Sequence, residues 1–143
     1  SAVAVDLSAQ ALDVARENAR SLGVDERCRF VESEWLAAVE GSFDLIVSNP
    51  PYIPAGAIAA LADDVRGYDP RLALDGGADG LAPYSAICAA AGAHLKPGGA
   101  LVFEIGAGQA AAVTAIAVAA GWRPVLQAQD LGGHVRGLAF RFG

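Results

Sequence analysis

Short apolar segments alternate with helical segments along this chain, and this alternation restricts its fold more than any other feature. The segments that predict strands are "AVAVD" at 2–6, "CRFVE" at 28–32, "FDLIVS" at 43–48 and "ALVFEI" at 100–105. The segments that predict helices are 9–22, 35–39, 54–61, 84–94 and 108–120. Apolar strands separated by helices predict an α/β protein whose mostly parallel sheet is covered on both faces. The predicted strands 123–129 and 136–142 have no helix between them, so we expect them to form an antiparallel pair.

The composition is that of one folded domain. Of the 143 residues, 54% are hydrophobic, and this content excludes a disordered protein. No apolar run approaches the roughly 18 residues expected of a membrane-spanning helix. The Ala-rich stretch 107–120 is shorter and predicts a buried helix. Because no basic leader or cleavage site opens the chain, we expect a cytoplasmic protein that does not engage a membrane.

The net charge of −6 bears on the class of partner. Acidic side chains outnumber basic ones 16 to 10, and the sequence has no cluster of Lys and Arg. Domains that grip a duplex usually present a basic face, so we expect no direct nucleic acid binding. Cys28 and Cys88 match no metal or redox spacing, so they are interpreted as buried apolar thiols and no metal site is predicted.

An acidic side chain, Asp6, ends the first predicted strand. In nucleotide-binding α/β sheets, an acid at the carboxyl end of an early strand accepts hydrogen bonds from ribose hydroxyls. The alternative role is that of a carboxylate that caps the following helix or interacts with its dipole. By itself, the position of Asp6 leaves both interpretations open.

The segment "VSNPPYI", residues 47–53, directly follows the apolar core of a predicted strand. Pro50 and Pro51 have fixed φ angles and no N–H, and a proline biases the preceding Asn49 towards an extended backbone. The segment is therefore rigid, and its Asn49 side-chain and Pro50 backbone carbonyls suit an –NH2 group with two hydrogens. Tyr52 adds an aromatic face for a planar amide or base, or for a cationic sulfonium. A stiff turn with a buried tyrosine is the alternative, but ligands bind at the carboxyl ends of parallel strands, which favours a site.

Two further charged residues have open roles. Glu104 ends the predicted strand 100–105 and would point near such a site if the strand order is right. Arg71 lies in the long segment 62–83, and it is expected either to meet a substrate or to pair with a neighbouring Asp. Loops of this length inside compact domains usually have a function.

The sequence resembles the catalytic domain of the HemK/PrmC family over essentially its whole length. The resemblance is carried by "VDLS", "ESEWL", "FDLIVSNPPYI", "DPRLALDGGADGL" and "LKPGGALVFEIGAGQ". Members of the family are S-adenosyl-L-methionine-dependent methyltransferases that methylate a glutamine side-chain amide nitrogen in peptide chain release factors. Amino-methyltransferases of adenine, guanine and ribosomal proteins share the NPPY element alone, so the other segments narrow the resemblance. It implies a Rossmann-like class I methyltransferase fold, S-adenosyl-L-methionine as cofactor and a release factor as partner.

The resemblance also implies roles for individual residues. Asp6 matches the acid that binds the cofactor ribose, and Leu7 is placed beside it by position only. Glu34 and Trp35 fall near the adenine, although the common family form is Asp-Trp and Glu34 departs from it. Asn49, Pro50, Pro51 and Tyr52 are implied to bind the substrate amide, and Asn49, Pro50 and Tyr52 are implied to act in catalysis. Asn49 is also implied to border the cofactor.

Two family features are not found in this sequence. Family members carry a Gly-rich cofactor loop after their first strand and a helical domain before it, whereas this chain begins at Ser1 in what would be the second strand. We therefore interpret residues 1–143 as an N-terminally truncated methyltransferase catalytic domain that lacks the first strand of the sheet. Such a domain is expected to expose apolar strand edges and could associate with itself.

Two other functions remain open at this point. The first is amino-methyl transfer to a ribosomal protein glutamine or to adenine or guanine in DNA or RNA, through the same NPPY chemistry. The second is a non-catalytic fragment that binds or scaffolds, because the cofactor loop is not part of this sequence.

Overall fold

A computed structural model of the chain describes residues 1–60 and 70–143. The chain divides into two compact units, Ser1–Gly41 and Ser42–Gly143. Residues 61–69, which include the end of the predicted helix 54–61 and part of the predicted loop 62–83, lie outside the described residues.

The first unit is a β-α-β arrangement. It contains β1 (Ala2–Asp6), α1 (Ala9–Ser21), a short 3₁₀ helix (Asp25–Arg27) and β2 (Cys28–Glu32). The two strands are parallel, with Ala2 opposite Cys28 and Asp6 opposite Glu32. Both carboxyl ends therefore lie at the same edge, with the acidic ends of the strands side by side.

Local signals in the sequence set the ends of α1. The Ser8 hydroxyl accepts a hydrogen bond from the Ala11 amide at 3.2 Å, which satisfies one of the unpaired donors of the first turn. Leu12 and Ala19, seven residues apart, are buried on one face of the helix. Gly23 follows the helix with a φ of 66°, a left-handed conformation that glycine adopts at little cost.

The described residues of the second unit form a four-stranded sheet and three α-helices. Its elements are β3 (Phe43–Ser48), a 3₁₀ helix (Ala55–Ala60), α2 (Arg71–Leu74), α3 (Ala82–Ala91), a 3₁₀ turn (Gly92–His94), β4 (Leu95–Glu104), α4 (Ala110–Ala119), β5 (Trp122–Gln129) and β6 (Val135–Phe142). None of the described helices is long and apolar enough to span a bilayer.

The strands of this sheet lie in the order β3-β4-β6-β5. β3 and β4 are parallel, whereas β6 is antiparallel to β4 on one side and to β5 on the other. Within the described sheet, three strands thus run in one direction and β6 runs in the other. The predictions of a mostly parallel α/β sheet and of an antiparallel pair at the end of the sequence are confirmed.

Large apolar side chains fill the core of the second unit. Phe103 on β4 packs edge-to-face against Tyr84 on α3 and against Phe140 on β6, with ring centroids 5.2 and 6.3 Å apart. Trp122 at the start of β5 is buried, and its indole N–H donates to the Cys88 carbonyl at 3.0 Å. Burial of each such side chain stabilises the fold by about 1.5–3 kcal/mol, so this cluster fixes β4 and β6 against α3.

The two cysteines differ in burial. Cys88 on α3 is buried, as predicted, whereas Cys28 is only partly buried. Cys28 begins β2 directly after a 3₁₀ helix that has no buried residue, so the end of this strand is less covered than its apolar sequence predicted.

Three details of the elements differ from the sequence-based expectations. The predicted helix 35–39 is a pair of turns, in which Ala37 and Val39 donate to carbonyls three residues before them. The predicted helix 54–61 is a 3₁₀ helix over its described part. The predicted strand 100–105 begins earlier, at Leu95, because the segment "KPGG" is a bulge inside β4: Leu95 pairs with Phe43 and the register then shifts.

Candidate functional site

The segment Asn49–Tyr52 leaves the carboxyl end of β3, and its first residue, Asn49, lines an open cleft. Asn49 is exposed and Pro50 is buried, so the backbone is anchored while the amide side chain faces solvent. The cleft has a volume of ≈ 380 Å³, and its polar lining includes Ser48, Asn49, Glu104 and Arg136. A smaller cavity of ≈ 120 Å³ contacts Asn49, Pro50 and Tyr52 from the side of α2.

Glycines approach the backbone of this segment so closely that no side chain fits between. A Cβ at Gly76 would lie 2.9 Å from both the Pro51 carbonyl oxygen and the Tyr52 Cα. A Cβ at Gly80 would overlap the Tyr52 carbonyl oxygen, and one at Gly106 would lie 3.1 Å from Cδ2 of the Tyr52 ring. These glycines let two loops pack directly on the segment, which restricts its movement.

The side chain of Gln109 joins the same loops through hydrogen bonds. Its Nε2 donates to the Tyr52 carbonyl at 3.0 Å and to the Gly80 carbonyl at 3.4 Å. Its Oε1 accepts from the Gly106 amide at 2.9 Å. One amide side chain therefore holds the segment after β3, the loop before α3 and the loop after β4 in a fixed arrangement.

The buried Tyr84 lies beneath this arrangement. Its hydroxyl donates to the Glu104 carbonyl at 3.2 Å and lies 3.5 Å from Oε1 of Gln109. Burial raises the pKa of Tyr84 to about 12. Tyr84 therefore stays a neutral hydrogen-bond donor at physiological pH and supports the floor of the site.

Arg136 at the start of β6 contacts Tyr52 from the other side. Its Nη2 donates to the Tyr52 hydroxyl at 3.0 Å, and its guanidinium carbon lies 5.4 Å from the centroid of the Tyr52 ring. The same Nη2 is 3.6 Å from Oε1 of Glu104. The hydrogen bond to Tyr52 is the main cause that raises the pKa of Arg136 above its ordinary value, so the group is a permanent cation.

In the first unit, Asp6 ends β1 with an exposed carboxylate. Its Oδ1 accepts from the Ser8 amide at 2.8 Å, and its backbone carbonyl accepts from the Ser33 amide at 3.1 Å. The capping interpretation of Asp6 is thus part of its role, because it supports the start of α1. The carboxylate is nevertheless exposed at the carboxyl end of a parallel strand.

The turn after β2 places Glu34 and Trp35 at the same edge of the first unit. The Ser33 hydroxyl is buried and accepts from the Ala38 amide at 2.9 Å, which closes the turn. Trp35 is half-buried and has a φ of 51°, a left-handed conformation that costs a bulky residue about 1–3 kcal/mol. Leu7, beside Asp6, is 53% exposed.

The structure therefore gathers the predicted residues into two groups. Asp6, Leu7, Glu34 and Trp35 lie at one end of the first unit, and Asn49 to Tyr52 lie at the carboxyl end of β3 in the second. Glu104 lines the cleft beside Asn49, as the strand order predicted. Arg71 pairs with Asp75, Nε to Oδ2 at 3.4 Å, which agrees with the interpretation that it meets a neighbouring Asp.

Sequence reasoning assigned no role to Gln109 or Arg136. Gln109 follows Gly106 and Gly108 in the segment "FEIGAGQ". A polar side chain directly after two glycines at the end of a predicted strand was the one local sign that it could belong to the site. Arg136 meets Tyr52 only because β6 pairs with β4 with Gly137 opposite Glu104, and that register is not readable from the sequence. Among residues 1–60 and 70–143, no cluster of His, Cys, Asp or Glu could hold a metal ion.

Comparison with known proteins identifies relatives of this chain. Residues 1–64 match the family model described as methyltransferase small domain. The chain is 52% identical to the release factor glutamine methyltransferase of Cereibacter sphaeroides over 94% of its own length and 48% of that protein. Its identity to the protein of that name from Agrobacterium fabrum is 45%, over 99% of this chain and 49% of that protein.

Over the part that it spans, the chain belongs to the HemK/PrmC family. The chain spans about half the length of the curated relatives it matches. The Rhodospirillum rubrum protein of the same name is 48% identical over 96% of this chain, and the alignment covers 42% of that protein.

Solved structures establish the fold. A ribosomal protein L11 methylase from Lactobacillus delbrueckii aligns with a TM-score of 0.70 at 22% identity, over 99% of this chain and 57% of that one. A methyltransferase from Pyrococcus furiosus aligns with a TM-score of 0.69 at 19% identity, over 96% of this chain and 60% of that one. The fold is that of class I S-adenosylmethionine-dependent methyltransferases, as the sequence predicted.

Proposed function

We propose that residues 1–143 act as the catalytic domain of an S-adenosyl-L-methionine-dependent methyltransferase that modifies a glutamine side-chain amide in peptide chain release factors. The observation that carries the proposal is the placement of Asn49, exposed at a cleft while Pro50 beside it is buried. The relatives named release factor glutamine methyltransferase support the choice of substrate. A release factor substrate in turn supports a cytoplasmic location.

In this proposal, the rigid segment after β3 recognises the amide. The side-chain carbonyl of Asn49 and the backbone carbonyl of Pro50 accept the two hydrogens of a substrate –NH2 group. Pro51 provides no competing N–H, and Tyr52 forms a wall beside the bound amide. The packed glycines and Gln109 hold the two acceptors at a constant separation, so little reorganisation is needed when the substrate binds.

The residues of this site would also make the substrate nitrogen more reactive. An amide nitrogen is a poor nucleophile because its lone pair is delocalised into the carbonyl group. Hydrogen bonds from –NH2 to Asn49 and Pro50 draw electron density towards the nitrogen, and they strengthen as the nitrogen becomes positive in the transition state. The same two bonds hold the nitrogen in line with the methyl group that it attacks. Bound S-adenosyl-L-methionine would supply the methyl group and leave as S-adenosyl-L-homocysteine, and the proton lost by the nitrogen would pass to solvent.

The residues of the first unit fit an adenosine group. The exposed Asp6 carboxylate offers acceptors for a ribose diol, and Leu7 supplies an exposed apolar side chain next to it. Glu34 and the half-buried Trp35 lie at the end of the neighbouring strand, where an acceptor and an aromatic face suit an adenine ring. When bound, S-adenosyl-L-methionine supplies an electrophilic methyl group, and Asn49 is proposed to border it.

Substitution of Asn49 tests the proposal. In the full-length protein, Asn49→Ala should reduce turnover by about 100-fold or more, because one of the two acceptors for the –NH2 group is lost. Cofactor binding, measured by calorimetry, should stay within about two-fold of wild type. Asn18→Ala on the exposed side of α1 is the matched control and should keep full activity. Unchanged turnover of the Asn49→Ala protein would contradict the assigned role.

A parallel assay separates the other candidate substrates. The protein is offered a radiolabelled methyl donor with a release factor, a ribosomal protein, DNA or RNA, and incorporation is counted for each. We expect labelling of the release factor and none of the nucleic acids, given the charge of −6. Labelling of DNA, RNA or the ribosomal protein in preference to the release factor would replace the proposed substrate. A chain that binds no S-adenosyl-L-methionine would favour a non-catalytic role.

A further inference from the structure

Arg136 contacts Tyr52 in two ways, through a hydrogen bond to its hydroxyl and through its guanidinium over the ring. The hydrogen bond from Nη2 to the Tyr52 hydroxyl is 3.0 Å long, and the guanidinium lies over the ring at 5.4 Å from its centroid. One cation thus restrains both the hydroxyl and the plane of a ring that forms part of the site. Fixing the two side-chain torsions of the ring in advance avoids the entropy cost of ordering them when a substrate binds.

The direction of this hydrogen bond fixes the role of the tyrosine. An arginine has only donors, so the Tyr52 oxygen must accept, and its own hydrogen is left to point to another acceptor. The guanidinium also covers one face of the ring, so a second cation is disfavoured on that face. Tyr52 is therefore presented with one defined face and one defined donor.

Arg136 is itself held on a rigid element. Its backbone carbonyl accepts from the Ile105 amide at 2.9 Å, and Glu104, opposite Gly137, lies 3.6 Å from its Nη2. The turn before it is closed by Asp130, whose Oδ1 accepts from the amides of Gly132 and His134 at 2.9 and 3.0 Å. A side chain on such a scaffold can position a partner within a fraction of an ångström.

We infer that Arg136 is a positioning residue for methyl transfer, acting through Tyr52, and this inference rests on the proposed function. Arg136 is inferred to act through the hydroxyl and the ring of Tyr52, which it contacts, rather than on the reacting atoms. It fixes the tyrosine that forms the wall beside the amide held by Asn49 and Pro50. Loss of Arg136 should therefore lower kcat more than it changes the KM for S-adenosyl-L-methionine.

The test is a double-mutant cycle in the full-length protein. Steady-state transfer to a release factor is measured for wild type, Arg136→Met, Tyr52→Phe and the double variant. Arg136→Met should lower kcat about 10- to 100-fold with the cofactor KM within about two-fold, because a small misplacement of a positioning group is costly. In the Tyr52→Phe background, the same change should cost several-fold less.

Arg141→Met on the same strand is the matched control. Arg141 is exposed and lies opposite Ala100, so its loss removes the same charge from β6 without touching Tyr52. Its kcat should equal that of wild type. If Arg136→Met does not fold, Arg136→Lys replaces it, because lysine keeps the charge beside Glu104 but lacks the planar group over the ring.

The outcomes distinguish this inference from the proposed function. Three results would each overturn the inference and leave the proposed reaction intact. The first is the same loss of kcat from Arg136→Met with tyrosine or phenylalanine at position 52. The others are full activity of Arg136→Lys and a loss of kcat in Arg141→Met equal to that in Arg136→Met. A folded wild-type protein that transfers no methyl group to any release factor would overturn the proposed function and the inference together. A smaller loss in the Tyr52→Phe background, with an active Arg141→Met control, supports it.

Discussion

Gly80 occupies a position where even one additional methyl group would disturb the segment that carries Asn49 and Tyr52. A Cβ there would overlap the Tyr52 carbonyl oxygen and lie 2.9 Å from Nε2 of Gln109. The φ of +78° adds the strain of a left-handed residue. The cost of an alanine therefore has two parts, a backbone part and a clash.

Gly80→Ala should lower the free energy of unfolding by about 2–4 kcal/mol, combining overpacking with backbone strain. Gly98→Ala is the matched control, because Gly98 has a φ of +80° and a Cβ added to it would meet no atom within 4 Å. It should cost only about 1–2 kcal/mol. Chemical denaturation measures both variants, and equal losses would mean that the clash is relieved without cost.

At this scale, the sequence revealed those residues whose chemistry is local. The rigidity of Asn49-Pro50-Pro51 follows from proline geometry alone. The contacts of Gln109 with Tyr52 and Gly80 join residues 57 and 29 positions apart, so no local pattern contains them. The roles proposed for Asp6, Leu7, Glu34 and Trp35 stay predictions.

Cys88 on helix α3 should make the stability of the folded chain depend on pH. Burial raises the pKa of the Cys88 thiol to about 11, from an ordinary value of 9.0. Between pH 9 and pH 11 the thiol ionises in the unfolded chain while it stays protonated in the folded one. The folded state then binds more protons, so its stability decreases as the pH rises through this range.

We expect the denaturation midpoint of the wild type to fall between pH 9 and pH 11, and that of Cys88→Ala to fall less steeply. Cys88→Ala shortens a buried side chain and therefore lowers the denaturation midpoint at every pH. The test compares how steeply the midpoint falls with pH, which does not depend on that constant loss. The pKa of Tyr84, raised by burial to about 12, should leave a residual slope in both proteins at higher pH. Identical slopes over pH 9–11 would contradict the assignment to Cys88.

Elements with a regular apolar pattern were predictable, and irregular ones were not. β1 and β2 have the predicted bounds, since each is a compact apolar run with an acid at its end. β4 begins at Leu95, five residues before the predicted start, because the "KPGG" segment bulges while the strand pairing continues on either side. Proline and glycine predict a break in the chain, but they do not reveal that partner strands bridge it.

At the scale of the whole molecule, β3 is paired on one side only within the described sheet. Leu45 and Val47 on this strand are 53% and 66% exposed. Apolar side chains on an edge strand favour association with other strands, and natural proteins commonly place lysine at such edges. The sequence-based expectation of self-association stays a prediction.

Val47→Lys should reduce any concentration-dependent association of the chain, which sedimentation velocity measures directly. The matched control is Val14→Lys on α1, where a valine is 57% exposed on a helix that has no open strand edge. That control should associate like the wild type. If both variants behave alike, a general change in charge rather than the edge of β3 governs the association.

The two tryptophans are divided between the two units, with Trp35 in Ser1–Gly41 and Trp122 in Ser42–Gly143. Trp35 is half-buried in a turn, whereas Trp122 is enclosed, donates its indole N–H to the Cys88 carbonyl and packs against Phe142. Their fluorescence emission should therefore differ in wavelength. Each unit thus carries its own optical label, and single Trp→Phe variants allow the melting of one unit to be followed separately from the other.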